Sequence, residues 1–157
     1  MNKVIRITPT AHDSTVADNG LFFDMTELTN VTSRLGGTAL LKSVTSQVAS
    51  NAGHPQMDLL FFKKLSGGSL GTLGSALGPL AAAAIRTNEL IGVVSMPTVP
   101  ADGSADLEDL FVSSNLNIDL VLEADENKQS IYVASIVRAQ YVSGEDTNVT
   151  LSFGFEQ

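Results

Sequence analysis

The clearest pattern in the chain is an alternation of apolar and polar residues near its C-terminus. Apolar residues occupy every second position over residues 116–122, and most positions between them are polar. A period of two is typical of a half-buried strand. A run rich in β-branched residues follows at 131–137, and a second alternation covers 149–155. The pattern predicts that residues 114–157 form an antiparallel meander, which begins with a hairpin.

Several segments in the first half are also rich in strand-forming residues. They are residues 4–8, 21–24, 38–48 and 57–62. The last of these has consecutive apolar residues, which would lie on both faces of a strand, so it is predicted to be central or covered on each side. Adjacent side chains of a regular strand point in opposite directions. One residue of the pair Phe22 and Phe23, and one of Phe61 and Phe62, is therefore predicted to face a second layer or another subunit.

The middle of the chain is irregular. Glycine recurs every few residues over positions 66–78, which suits a loop better than a helix or a strand. Pro79 then occupies a typical first-turn position, and the alanines after it predict one short helix. We predict a glycine- and alanine-rich excursion over residues 66–88. Its leucines, Leu70, Leu73 and Leu77, are expected to anchor it to a neighbouring surface.

Composition favours one folded, acidic domain. The chain has 157 residues, of which 43% are apolar and 17% are charged, with a mean hydropathy of +0.17. This is enough for a single core, and we assign residues 1–157 to one β-rich domain. Nine basic and 17 acidic residues give a net charge of −8, which disfavours binding to nucleic acid or to an anionic membrane. The absence of cysteine excludes disulfides and thiolate chemistry.

No motif assembles a catalytic, cofactor or metal site. The glycine-rich stretch lacks the lysine of a phosphate-binding loop, and no G-x-S-x-G motif is present. Four carboxylates cluster in the loop 97–109: Asp102, Asp106, Glu108 and Asp109. They lack the spacing of a calcium loop, so a solvated loop is predicted, and ion binding there is left open. His12 and His54 are predicted to be surface residues. We therefore expect no enzyme activity, no cofactor, no metal site and no membrane-spanning segment.

Eight segments, spread in order along about half of the chain, resemble one known family. They are KVIRITPT (3–10), LFFDMTEL (21–28), GGTALLKSVT (36–45), DLLFFKK (58–64), ELIGVVSM (89–96), NIDLVLEA (117–124), IYVASIVR (131–138) and LSFGF (151–155). The family is that of the head decoration, or capsid cement, proteins of tailed bacteriophages. The glycine and alanine segment 66–85 departs from the family pattern.

The resemblance implies a mainly β fold, an antiparallel β-sandwich or jelly-roll-like barrel, here with one short helix and a glycine-rich excursion. It also implies display on the outer surface of the capsid, the major capsid protein as partner, and a homotrimer. Residues 1–10 are expected to form an extended N-terminal arm or edge strand. We expect the contacts to come from residues 3–10 of this segment, which add main-chain hydrogen bonds to a partner's sheet, and from residues 67–78 of the excursion. The predicted interface residues are Lys3, Val4, Ile5, Arg6, Ile7, Phe22, Phe23, Leu70, Leu73 and Leu77.

An alternative function is a β-sandwich receptor- or carbohydrate-binding module of a phage tail or surface structure. Such a module would have the same fold class, but it needs an exposed aromatic platform or an ion site lined by carboxylates. The chain has no tryptophan and offers Tyr132 and Tyr141 for that role. An exposed aromatic platform or a carboxylate-lined ion site would therefore favour this alternative.

Overall fold

The computed structural model describes residues 1–101, 110–143 and 147–157, which form ten strands and one helix. In chain order the elements are β1 (Asn2–Ile7), β2 (Thr15–Val16), β3 (Leu21–Leu28), β4 (Thr38–Ala49), β5 (Met57–Phe62), α1 (Pro79–Thr87), β6 (Leu90–Met96), β7 (Leu110–Glu123), β8 (Ile131–Val137), β9 (Tyr141–Val142) and β10 (Asn148–Glu156). The prediction of a mainly β, antiparallel chain with one short helix is confirmed.

Eight of the strands form two antiparallel sheets. Sheet 1 has the order β1-β10-β4-β7, and sheet 2 has the order β3-β8-β5-β6. The pairs β1–β10, β3–β8, β4–β7 and β5–β6 are nested, as if one long hairpin with its tip at β5–β6 had been rolled into two layers. This is the strand order of a double-sheet jelly roll. Within the described ranges, hydrogen bonding does not join the two sheets into a closed barrel.

The last strands of the chain do not pair with one another. β7 and β10 both lie in sheet 1 but are separated by β4, whereas β8 lies in sheet 2. The prediction of a meander over residues 114–157 is therefore wrong, although its three long strands are present. Strands that follow each other in sequence are often neighbours, but a jelly roll sends them to opposite sheets.

The main core lies between the two sheets. The rings of Phe61 and Phe153 meet there edge to face, with centroids 5.9 Å apart. Phe22 and Phe23 are both fully buried in this same core, so the prediction that one of them faces another layer is wrong. The register of β3 against β8 shifts between Leu21 and Phe23, and such an irregularity lets neighbouring side chains point the same way.

A second apolar cluster lies on the outer face of sheet 2, beneath the excursion. It comprises Leu21, Leu60, Phe62, Leu70, Ala84, Tyr132, Ala134 and Ile136, with Met25, Leu73, Leu77 and Ile85 packed against it. Phe62 therefore faces a second layer while Phe61 faces the main core, as predicted. The excursion leucines anchor it as expected, on a surface of their own chain. The strand β5 is buried throughout because both of its faces are covered.

Two polar side chains fix the start of the excursion. Asn88, just after α1, accepts a hydrogen bond from the backbone N–H of Gly67 at 2.5 Å. It also donates from Nδ2 to the carbonyl oxygen of Gly68 at 2.9 Å. Asp24 of β3 accepts a hydrogen bond from the backbone N–H of Leu70 at 3.1 Å. Asn88 is fully buried, so the excursion is built into the fold.

The structure places His54 in the interior, where it is 1% exposed, so its predicted surface position is wrong. Its Nε2 lies 2.8 Å from Ser46 Oγ, and its Nδ1 lies 2.7 Å from the carbonyl oxygen of Pro55. These polar partners make burial of the imidazole possible. Burial lowers the pKa of His54 to about 4, so the ring is neutral at pH 7.

Candidate interaction surface

No element in the described part of the chain packs on the outer face of sheet 1, in contrast to sheet 2. The strand registers give its outward positions as Asn2, Val4 and Arg6 of β1, Thr150, Ser152, Gly154 and Glu156 of β10, Leu40, Ser43, Thr45 and Gln47 of β4, and Val112, Ser114, Leu116 and Val121 of β7. We call this surface the open face. It spans all four strands of the sheet.

The open face is polar and carries few charges, those of Arg6 and Glu156. Most of its polar side chains are hydroxyls, and Thr45 Oγ1 and Ser114 Oγ are hydrogen-bonded to each other at 3.3 Å. Arg6 is the charged residue in the row that also contains Ser152, Thr45 and Ser114. Val4 and Leu116, at opposite edges of the sheet, are 65% and 64% exposed. Single exposed aliphatic side chains are normal on protein surfaces, and here they provide apolar area that a partner can bury.

A depression of about 360 Å³ lies on this face. It is lined by Asn2, Lys3, Val4, Lys42, Ser43, Gly154, Phe155 and Glu156. A Cβ atom on Gly154 would come within 2.5 Å of Ser43 Oγ, so a larger residue here would displace the Ser43 hydroxyl. A second depression, of about 320 Å³, borders Val121 and shares Glu156 with the first. Side chains of a partner can enter these two depressions.

An ion pair lies at the margin of the open face. β7 bulges where β4 changes register between Leu41 and Ser43, and Lys42 pairs there with Asp119. The hydrogen bond with the Asp119 carboxylate raises the pKa of Lys42 above its usual 10.5. The two charges neutralise each other, so this margin adds no net charge to the open face.

The predicted N-terminal contact segment is an edge strand, and only part of it reaches solvent. Val4 and Arg6 are exposed on the open face, and Lys3 is half-buried with its Nζ donating to the carbonyl oxygen of Asn30 at 2.6 Å. Ile5 and Ile7 point to the other side of the sheet and pack on the main core. Alternate side chains of a strand necessarily divide in this way.

The other predicted contact residues lie mostly inside the chain. Phe22 and Phe23 are fully buried in the main core, and Leu70 is 2% exposed in the second cluster. These three side chains are occupied within the chain, which corrects their placement in the predicted interface. Leu73 and Leu77 are partly buried against the second cluster.

Sequence reasoning missed the part of the open face contributed by β4, β7 and β10. A signal was present, because the polar positions of these alternating strands are serine, threonine and glutamine in places where a solvent-facing strand often carries Lys or Glu. In β10 the outward residues Thr150, Ser152 and Gly154 follow this pattern. Only the strand order places such residues from distant segments side by side.

The carboxylates Asp102, Asp106, Glu108 and Asp109, considered for ion binding, lie outside the described residues. Within the described ranges, no three potential metal-ligating side chains come together. The one helix in those ranges is too short to cross a membrane.

All of the chain's aromatic side chains are buried. The seven phenylalanines are at most 2% exposed, and Tyr132 and Tyr141 are 8% and 7% exposed. The Tyr141 hydroxyl donates a hydrogen bond to the carbonyl oxygen of Gly53 at 2.8 Å. The aromatic platform that a carbohydrate-binding module would use is therefore not present on the surface.

Comparison with known proteins identifies no family for this chain. No family model matches it, and no curated protein matches it. A solved structure described as Desmodium yellow mottle tymovirus aligns with a TM-score of 0.31 and 12% identity, covering 99% of this chain and 84% of that one. A structure of the T13 IBDV viral particle aligns with a TM-score of 0.22 and 8% identity, covering 98% and 39%. Likenesses with such low TM-scores carry no argument about function.

Proposed function

We propose that this protein is a non-enzymatic virion protein that decorates the outside of a tailed-phage capsid and bridges neighbouring major capsid subunits. The ordered resemblance of eight segments to decoration proteins supports this function, as does the jelly-roll strand order, which recurs in viral capsid and lectin domains. A fold does not decide a function by itself. The observation that carries the proposal is the open face, a weakly charged sheet surface on a chain with a net charge of −8.

The chemistry of the open face suits contact with another protein. Charged side chains are depleted at the centre of protein interfaces, because removing a charge from water costs more than removing a hydroxyl that finds a new hydrogen-bond partner. The exposed side chains of Val4, Leu116 and Val121 can bury apolar area on contact. The face therefore has little electrostatic cost of association and some hydrophobic gain.

Bridging stabilises a shell without any chemical reaction. A protein that binds the intact arrangement of capsid subunits better than the separated subunits raises the work needed to pull them apart. A homotrimer would engage several subunits at once, so that weak single contacts add up to lasting attachment. Its formal charge would be 3 × −8 = −24, which favours the solvent side of the shell over the side of the packaged DNA.

The test is co-sedimentation of the purified protein with DNA-free, expanded heads of the phage that encodes it. The double variant Gln47→Glu with Ser114→Glu adds two charges at exposed positions of the open face, on β4 and β7. It should bind heads at least tenfold more weakly. Thr72→Glu adds a charge to an exposed position of the excursion and serves as the matched control, with binding within twofold of the unmodified chain.

Two results would contradict the proposal. The first is failure of the unmodified chain to co-sediment at concentrations that saturate other decoration proteins. The second is binding of the double variant that equals the binding of the control. A glycan array, with and without calcium, tests the alternative receptor- or carbohydrate-binding function. Glycan binding in the absence of head binding, whether or not it depends on calcium, would favour that alternative.

A further inference from the structure

The edge strands of the two sheets differ in how far other residues cover or distort them. The edge of β3 is covered by its own chain, since the excursion bonds to Leu21 in both directions: Leu21 N–H to Ser75 O at 3.0 Å and Gly74 N–H to Leu21 O at 2.8 Å. The edge of β6 receives a hydrogen bond from Asn115 Nδ2 of β7 to Ser95 O at 3.0 Å. Natural sheets cover or distort edges in these ways because an open edge is a template for another strand.

The edge of β7 is distorted rather than straight. Asn117 and Asp119 have positive φ angles of 64° and 50° in the middle of the strand, and β4 shifts its register opposite them. A bulge of this kind interrupts the regular spacing of N–H and C=O groups that strand pairing needs. Part of each of these three edges is therefore occupied or distorted.

β1 is the exception. Its six residues pair with β10 without any shift of register, from Asn2 opposite Glu156 to Ile7 opposite Leu151. Among the described residues, no backbone hydrogen bond is made from the outer edge of β1. This edge is regular and open, as strand addition requires.

The register shows which groups are free. Met1 and Gln157 exchange two backbone hydrogen bonds, of 2.9 and 3.1 Å, so they form a hydrogen-bonded pair. In an antiparallel ladder such pairs alternate with pairs that are not hydrogen-bonded to each other. It follows that Asn2, Val4 and Arg6 point their N–H and C=O groups away from β10. An added strand would meet the donors and acceptors of these three residues.

The charge of this edge is opposite to that of the whole protein. β1 contains Lys3 and Arg6 and no acidic residue, on a chain with a net charge of −8. Arg6 is exposed on the open face, and no ion pair of Arg6 occurs among the described residues. Pairing two β1 strands would bring four cations together, which disfavours a second copy of this chain.

We propose that the β1 edge accepts an extended segment of the capsid partner by antiparallel or parallel strand addition, and that this segment carries carboxylates beside Arg6. The inference rests on the proposed function for the identity of the partner. The bare edge, its free backbone groups and its positive charge determine the kind of segment: extended, acidic and without proline at the pairing positions. The added strand would extend the open face past Val4.

A proline at position 4 tests the backbone contacts. Because the N–H of Val4 points away from β10, Val4→Pro removes an outward donor without removing a bond of the β1–β10 ladder. Val4→Ala removes side-chain bulk but keeps the donor, and it is the matched control. Head binding by Val4→Pro should be at least tenfold weaker than head binding by Val4→Ala, which also loses the valine side chain but keeps the N–H donor. Thermal unfolding of both variants checks that the fold is kept.

A charge reversal tests the preference for an acidic segment. Arg6→Glu should weaken head binding by tenfold or more, and Arg34→Glu, at an exposed position outside β1, should leave it within twofold. In parallel, two synthetic strand peptides are titrated into labelled protein, one with alternating threonine and glutamate and one with alternating threonine and lysine. The acidic peptide should shift the amide resonances of Asn2, Val4 and Arg6, and the basic peptide should not.

The outcomes separate the two proposals. If the unmodified chain binds heads and Val4→Pro binds equally well, the strand-addition inference is overturned while the proposed function stands. If the chain ignores heads but the acidic peptide shifts the β1 amides, the proposed function fails and the preference of the β1 edge for an acidic strand stands. Equal shifts by both peptides, or a dimer of the chain that Val4→Pro abolishes, would overturn the acidic preference.

Discussion

The two sheets of this jelly roll have outer faces of opposite character. The outer face of sheet 2 carries Leu60, Phe62 and Tyr132 and is covered by the excursion, which contributes Leu70 and α1. The outer face of sheet 1 carries hydroxyls and scattered aliphatic side chains, and the described residues provide no cover for it. An apolar face must be buried to be stable, whereas a hydroxyl-rich face can stay in water until a partner arrives. The difference separates a surface used for folding from one available for binding.

Replacing a leucine with alanine on each of the two faces should give the largest difference in the free energy of unfolding. Leu70→Ala removes a side chain that is 2% exposed in the second cluster, and Leu116→Ala removes one that is 64% exposed on the open face. We expect Leu70→Ala to lower the free energy of unfolding by about 2–5 kcal/mol. Leu116→Ala should change it by less than about 0.5 kcal/mol. Urea unfolding measures both, and similar losses would mean that the open face is covered in solution.

Acid should weaken the structure through His54, which bonds to Ser46 of β4 on the inner side of sheet 1. The folded-state pKa is about 4 and the unfolded value is 6.5, so the unfolded chain takes up a proton first as the pH falls. Stability from this group is therefore present above pH 6.5 and is lost between pH 6.5 and 4. The full loss is roughly 3 kcal/mol.

Unfolding in urea at a series of pH values checks this prediction. His54→Gln, which keeps a polar side chain but does not titrate, should flatten the pH dependence in that window. A variant that keeps the whole pH dependence would show that the loss comes from another group. Protonation of His54 should weaken the contacts of its ring with Ser46 of sheet 1 and with Pro55 in the loop before β5.

The excursion that covers sheet 2 should be held less tightly when the hydrogen bonds of Asn88 are removed. Asn88→Ala deletes the hydrogen bonds to Gly67 and Gly68, and we expect a loss of about 1–3 kcal/mol because Asn88 is fully buried. Asn115→Ala, which deletes one exposed hydrogen bond to Ser95, should cost less than about 1 kcal/mol. Limited proteolysis of the excursion should accelerate in the first variant and stay unchanged in the second.

Sequence patterns identified the secondary structure better than they identified which strands and side chains contact one another. The strands, the helix after Pro79 and the two-sided burial around Phe61 and Phe62 follow from spacing and residue type alone. The burial of Phe22 beside Phe23 did not follow, because a register shift in the β3–β8 pair decides it. The burial of His54 was also missed, since its hydrogen-bond partner Ser46 lies on another strand.

The amino-acid sequence by itself determined where strands and helix form, which residues of a strand share a side, and that the chain is acidic and free of cysteine. These properties depend on neighbours within a few positions. Tertiary structure alone decided the nested pairing, the outer face of sheet 1 that the described residues leave uncovered, and the edge of β1 that makes no backbone hydrogen bond with them. Each of these depends on contacts between segments as distant as β1 and β10, and alternation along one strand contains no information about which strand lies beside it.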